Sequence, residues 1–146
     1  MRTKNLLKAI IASIAVILGF VPDCDGAVRT EHNLDDLLRA IATVESNNDP
    51  NAFNAKEDAA GLYQIRPIYL ADVNRLLGYP RYKLADRYDP VLAKEMVVIY
   101  LRHYGKNKSI EAMARIHNGG PRGYKKTSTL RYWQKIKRTM ENENKI

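Results

Sequence analysis

Apolar residues recur at helical spacing in five stretches of this chain and at strand spacing almost nowhere. In the stretch from Asn33 to Asn48, Leu34, Leu37, Leu38, Ile41 and Val44 form one stripe. Pro67, suited to a first helical position, opens a second helix through Ile68, Val73, Leu76 and Leu77 to Gly78. A third takes Asp89 as N-cap and Pro90 at its first position, then Leu92, Met96, Val97, Ile99 and Tyr100 before Gly105. Ser109 caps a fourth, which carries Ile110, Met113, Ala114 and His117 and stops at Gly119-Gly120-Pro121. Ser128 is the expected cap of a fifth, with Leu130, Trp133, Ile136 and Met140. Only Gly61 to Ile65 reads as extended, too short to define a sheet. The pattern therefore predicts an all-α or mainly α domain of about five helices with at most a minimal β element.

Glu45 interrupts the first stripe. It lies four residues after Ile41 and seven after Leu38, so the helix points a carboxylate where an apolar side chain belongs. Burial disfavours the charged form, and the negative end of the helix dipole pushes the same way. A carboxyl that keeps its proton in a cleft can protonate a leaving group. Helix rotation that brings Glu45 to water at the edge of the stripe is the competing reading on pattern alone.

The amino-terminal end has a different composition. Arg2, Lys4 and Lys8 precede an apolar run from Ala9 to Val21, then Pro22 and the small residues around Gly26 and Ala27. This is the outline of a secretory signal peptide over residues 1–27, and the run is shorter than the roughly 20 residues that cross a bilayer. Residues 28–146 then form one domain in a protein exported to the periplasm or secreted. Asp23 before Cys24 argues against a lipid anchor there, and with no other cysteine the domain has no disulfide. The formal charge is +8, and residues 1–26, with three basic and two acidic groups, leave +7 on the remainder. An exported cationic domain meets anionic cell-wall polymers before nucleic acid, for which no recognition fingerprint is present. The three histidines are scattered without ligand spacing, so neither metal nor cofactor is expected.

Three segments stand in order: Ala42-Thr43-Val44-Glu45-Ser46, Gly61-Leu62-Tyr63-Gln64-Ile65, and Ala114-Arg115-Ile116-His117-Asn118-Gly119-Gly120-Pro121. The first two resemble the catalytic part of soluble lytic transglycosylases and goose-type lysozymes. The third, with Thr127 to Trp133 after it, is similar to the carboxy-terminal part of invertebrate-type lysozymes. Both belong to the lysozyme-like superfamily. The resemblance implies a monomeric glycosidase in which Glu45 is the general acid, cutting the β-1,4 bond between N-acetylmuramic acid and N-acetylglucosamine in peptidoglycan glycan strands. It further implies that Ser46, Gly61, Tyr63, Gln64, His117 and Asn118 line or shape the substrate site. Apolar packing must replace the disulfides of the invertebrate-type enzymes.

A second carboxylate decides the chemistry, because hydrolysis needs one and a transglycosylase does not. Asp49, Glu57 and Asp58 are candidates, and the resemblance favours Asp58, which lies three residues before Gly61, near where invertebrate-type lysozymes keep their aspartate. Because the catalytic-end segments resemble the transglycosylases, the sequence leans toward that product, with a hydrolytic lysozyme using Asp58 as the alternative. A wall-binding protein without catalysis on the same fold is a further alternative, against which the intact Glu45 and Gln64 argue.

Overall fold

The computed structural model describes residues 24–143, with side chains from residue 34 onward, and the unit that begins at Asn33 holds the whole site. Most of the proposed signal segment lies outside the described residues. Among the described residues there are five α-helices: α1 (Cys24–Ser46), α2 (Pro67–Leu77), α3 (Pro90–Tyr104), α4 (Ile110–Gly119) and α5 (Leu130–Glu143). Short 3₁₀ turns at Leu84–Tyr88, Gly123–Lys125 and Thr127–Thr129 connect them.

The apolar stripe of α1 is buried as its spacing requires. Leu37, Ala40 and Ile41 have no accessible surface, and they meet Val73 of α2, Met96, Val97 and Leu101 of α3, Ile116 of α4 and Ile136 of α5. Each large side chain buried in this way contributes about 1.5–3 kcal/mol relative to exposure. No disulfide is needed to bring α1 through the middle of the core.

The caps of α3 and α4 form as their sequences predict. The Asp89 carboxylate accepts from the backbone N–H groups of Val91 and Leu92 at 2.8 and 3.0 Å, and Ser109 Oγ accepts from Ala112 at 3.2 Å. Such a cap contributes about 1 kcal/mol. Ser128 does not cap α5; it sits within the Thr127–Thr129 turn, which runs directly into Leu130.

The β element falls earlier than the expected Gly61 to Ile65. Strands β1 (Phe53–Asn54) and β2 (Ala59–Ala60) pair antiparallel, with Phe53 opposite Ala60 and Asn54 opposite Ala59. Gly61 and Gln64 take φ of +74° and +48°, which no strand accommodates, and only Ile65 bridges back to Ala60. A Cβ at residue 61 would lie 1.8 Å from the Arg87 carbonyl oxygen, so glycine is required for the close approach as well as the turn.

Candidate active site

The site forms where α1 ends. Asn47 and Asn48 adopt left-handed conformations and turn their N–H groups back to the carbonyls of Thr43 and Ala42 at 3.0 and 3.2 Å. That stop leaves Glu45 in the last helical turn, its side chain only 20% exposed. The expected inward orientation is therefore what the helix delivers. Burial raises the Glu45 pKa above its ordinary value; the Tyr132 hydroxyl and the positive charges of Arg66 and Lys135 oppose the shift, and the charge of Glu57 adds to it.

Glu45 opens into a cavity of about 330 Å³ whose walls include Glu57, Gln64, Arg66, Tyr69, His117 and Asn118. Arg66, Tyr69 and His117 also border a second cavity of about 350 Å³ that runs on past Ile68 and Asp72 to Gly120 and Pro121. The two adjoin at these three residues, an arrangement in keeping with a chain-like substrate.

His117 lies on the floor. Its Nε2–H donates to the Tyr63 carbonyl at 3.2 Å, which leaves Nδ1 to accept a longer bond from the Tyr69 hydroxyl at 3.4 Å. Burial lowers its pKa to about 4, with the Arg66 charge adding to the effect and the Tyr63 carbonyl opposing it. At neutral pH the imidazole is uncharged. The 3.7 Å approach of Nε2 to Glu45 is therefore a polar contact and not an ion pair.

Arg66 crosses the groove. Its guanidinium stands 3.6 Å from the Glu57 carboxylate on the hairpin side and donates to the Asn118 carbonyl at 3.3 Å on the α4 side. Gln64 lines the same cavity, but its Nε2 is committed to the carbonyls of Gly61 and Ala52 at 3.0 and 3.2 Å. Tyr132 comes in from α5. Its hydroxyl is buried and interacts with Glu45, yet no atom meets ordinary hydrogen-bond geometry around it, so this is a long contact rather than a formed bond.

Several residues expected at the substrate surface lie elsewhere. Ser46 Oγ is 2.9 Å from the Leu62 carbonyl and 3.1 Å from that of Ala42, so the hydroxyl ties the helix end to the following turn. Gly61 faces Arg87, and the Tyr63 side chain, 4% exposed, borders a separate apolar groove with Pro90 and Val91. Asp58 does not line the cavity: its Oδ1 meets Arg87 Nη2 at 3.2 Å, and its backbone oxygen accepts from Nη1 at 2.6 Å. The carboxylate that shares the cavity with Glu45 is Glu57. Arg66 and Tyr132 carry no function in the sequence reading. A basic residue directly before the first proline of a helix was the available signal for Arg66, while Tyr132 on the buried stripe of α5 looks like any core aromatic.

What this arrangement can do is hand a proton to an oxygen held in the polar cavity beside Glu45, the chemistry of the lysozyme-like glycosidases. Comparison with known proteins agrees. The sequence profile described as Transglycosylase SLT domain matches residues 25–140, and the chain belongs to that family. A lysozyme of Magallana gigas is 31% identical over 137 residues, 89% of this chain and 93% of the relative. Invertebrate-type lysozyme 6 of Caenorhabditis elegans is 33% identical over 119 residues, 70% of this chain and 83% of the relative. A chain of the crystal structure of Aeromonas hydrophila PliI in complex with Meretrix lusoria lysozyme superposes with a TM-score of 0.61 at 29% identity, over 70% of this chain and 87% of that one. The protein is thus a lysozyme-like enzyme acting on peptidoglycan, and the likeness to both groups of glycosidases is borne out.

Proposed function

We propose that the enzyme is a hydrolytic lysozyme in which Glu45 is the general acid and Glu57 the second carboxylate. The observation that supports this is the presence of both carboxylates in one cavity, close enough for the charge of Glu57 to act on Glu45. Glu45 gives its proton to the glycosidic oxygen between N-acetylmuramic acid and N-acetylglucosamine as the bond to the anomeric carbon breaks. Glu57 balances the positive charge at that carbon, water completes the reaction, and Glu45 recovers a proton. Arg66 orients Glu57 across the groove, while neutral His117 with Tyr69 gives the cleft floor a fixed shape. Asn118 and the carbonyl of the Gln64 amide meet sugar hydroxyl and acetamido groups.

The leaning toward a transglycosylase rested on the catalytic-end motifs, and the family description still favours it as the second reading. In that case Glu45 alone serves as acid and then base, with the C6 hydroxyl of the substrate as nucleophile. We propose further that the enzyme works as a monomer outside the cytoplasm, after loss of residues 1–27, on walls that carry anionic polymers.

Product analysis with three variants tests the chemistry. Hydrolysis gives muropeptides with borohydride-reducible ends, and Glu57→Gln loses activity to an extent comparable with Glu45→Gln, while Asp58→Asn acts mainly on stability through Arg87. Ends lighter by one water, with Glu57→Gln nearly as active as the wild type, would establish the transglycosylase instead.

A further inference from the structure

The positive charge of this chain is confined to one end of it. Residues 34–104 carry nine basic and ten acidic side chains, whereas residues 105–138 carry ten basic and one acidic. That single acid, Glu111, is taken up by Arg115 at 2.8 Å. Lys106, Lys108, Arg122, Lys125, Arg131 and Lys135 contact no carboxylate among the described residues. Two of these ammonium groups, of Lys108 and Lys125, stand over the same Tyr124 ring at 5.2 and 5.6 Å. Like charges held together without a counter-charge are costly unless something else supplies it.

Helix α5 orders part of this charge into a line. Its inward face is set by Ile136, with Tyr132, Trp133 and Met140 partly buried beside it. Arg131, Lys135 and Arg138, spaced i, i+4 and i+7, share the opposite face, and all three are exposed. They span about 10 Å of helix at 1.5 Å per residue. Helix α5 packs against α4, which carries the cleft residues His117 and Asn118, so the line runs beside the helix that borders the cleft. At the end of α4, Lys126 Nζ donates to the Gly119 carbonyl at 2.6 Å, next to the cleft residue Asn118.

We propose that the outer face of α5 is a binding surface for a phosphodiester polymer of the cell wall, held alongside the glycan strand being cut. The proposal rests on the peptidoglycan-cleaving reading and adds a partner to it. Two of the three side chains in the line are arginines, whose planar forks match phosphodiester oxygens in pairs. A polymer with regularly repeated charge fits a regularly spaced line of cations, and it adds counter-charge where α5 itself offers only Glu141, beside Lys137, and Glu143, beside Arg39. Carboxylates of the peptidoglycan peptides share the anionic chemistry and are the source to be told apart.

The test uses Arg131→Gln with Arg138→Gln, leaving Lys135 in place because its charge reaches Glu45. Gln is a good helix former, and both positions are solvent-facing, so the fold is kept. Binding is read by co-sedimentation with walls that retain their phosphodiester polymer and with the same walls after hydrofluoric acid has removed it. The double variant should bind polymer-bearing walls on the order of tenfold more weakly at low ionic strength, and Arg131→Lys with Arg138→Lys should restore only part of that, since lysine keeps the charge and loses the paired fork. On stripped walls, variant and wild type should bind alike. An equal deficit on stripped walls assigns the face to peptide carboxylates and overturns the phosphodiester assignment; no deficit on either wall overturns the surface itself. Turnover of a soluble, uncharged chitooligosaccharide is measured in parallel and should be unchanged, so failure of the catalytic reading shows there and not in the binding arm.

Discussion

Replacing Tyr132 by Phe should move the basic limb of the pH–activity profile upward, by less than one unit. The Tyr132 hydroxyl is among the groups that steady the ionised form of Glu45, against the larger opposing effect of burial. A hydrogen bond to a charged group contributes about 1.5–3 kcal/mol, and one pKa unit corresponds to about 1.36 kcal/mol. The contact falls below that range, because no atom satisfies hydrogen-bond geometry around this hydroxyl, so the limb moves by less than one unit. The sign follows from which form is stabilised. Without the hydroxyl the carboxylate is less favoured, the proton is kept to higher pH, and an acid that must be protonated to act stays competent there. The assay is kcat/KM on a soluble chitooligosaccharide from about pH 4 to 9 at constant ionic strength. Losing a buried hydroxyl that lacks a well-formed partner costs little, so an unchanged Tm separates this effect from partial unfolding. A basic limb that stays in place, or moves down, would refute the role of Tyr132.

Glu45→Gln should reduce wall lysis by about 10²–10⁴-fold or more. Because the Glu45 pKa is raised on folding, its protonated form is favoured in the native state, and stability is lost as pH rises through the folded value; the variant should melt no lower than wild type at pH 7, and the difference should vanish below 4.5. His117 acts in the opposite direction: its pKa falls from 6.5 to about 4 on folding, so the unfolded chain takes up the proton first and acidification through that window costs roughly 3 kcal/mol. Denaturant titrations of wild type and His117→Gln between those pH values measure this, and parallel curves would count against it. Gly61→Ala should destabilise by about 3 kcal/mol from the left-handed backbone and the collision with the Arg87 carbonyl, and a Tm within a degree of wild type would contradict the described turn.

Helix starts and the inward acid were legible because each is local. Asp89-Pro90 and Ser109 carry their capping chemistry in adjacent residues, and Glu45 announces itself by breaking a stripe. The loop between residues 47 and 60 was not legible in the same way. Asp58 and Glu57 are neighbours with the same chemistry, and which of them faces the cleft depends on the φ of +48° at Asp58 and on Arg87, 29 residues further along the chain. Periodicity assigns faces to helices and says nothing about a turn whose direction is set from a distance. Arg66 and Tyr132 escaped for a related reason. Each acts through a partner far away in sequence, Glu57 and Asn118 for the one and Glu45 for the other, so no window of neighbouring residues contains the interaction.

Arg87 holds the hairpin largely by backbone groups that every residue possesses, the carbonyl oxygens of Asp58, Ile65 and Leu84 at 2.6, 3.1 and 3.0 Å. A grip of that kind is indifferent to most side chains it passes. The hairpin can therefore drift in sequence over generations while its path across the cleft is inherited unchanged, and the residue at position 57 is free to gain or lose a carboxylate without refolding the lobe. On the chemistry proposed above, the choice between reducing and anhydro ends then turns on a position that the Arg87 grip leaves open to change.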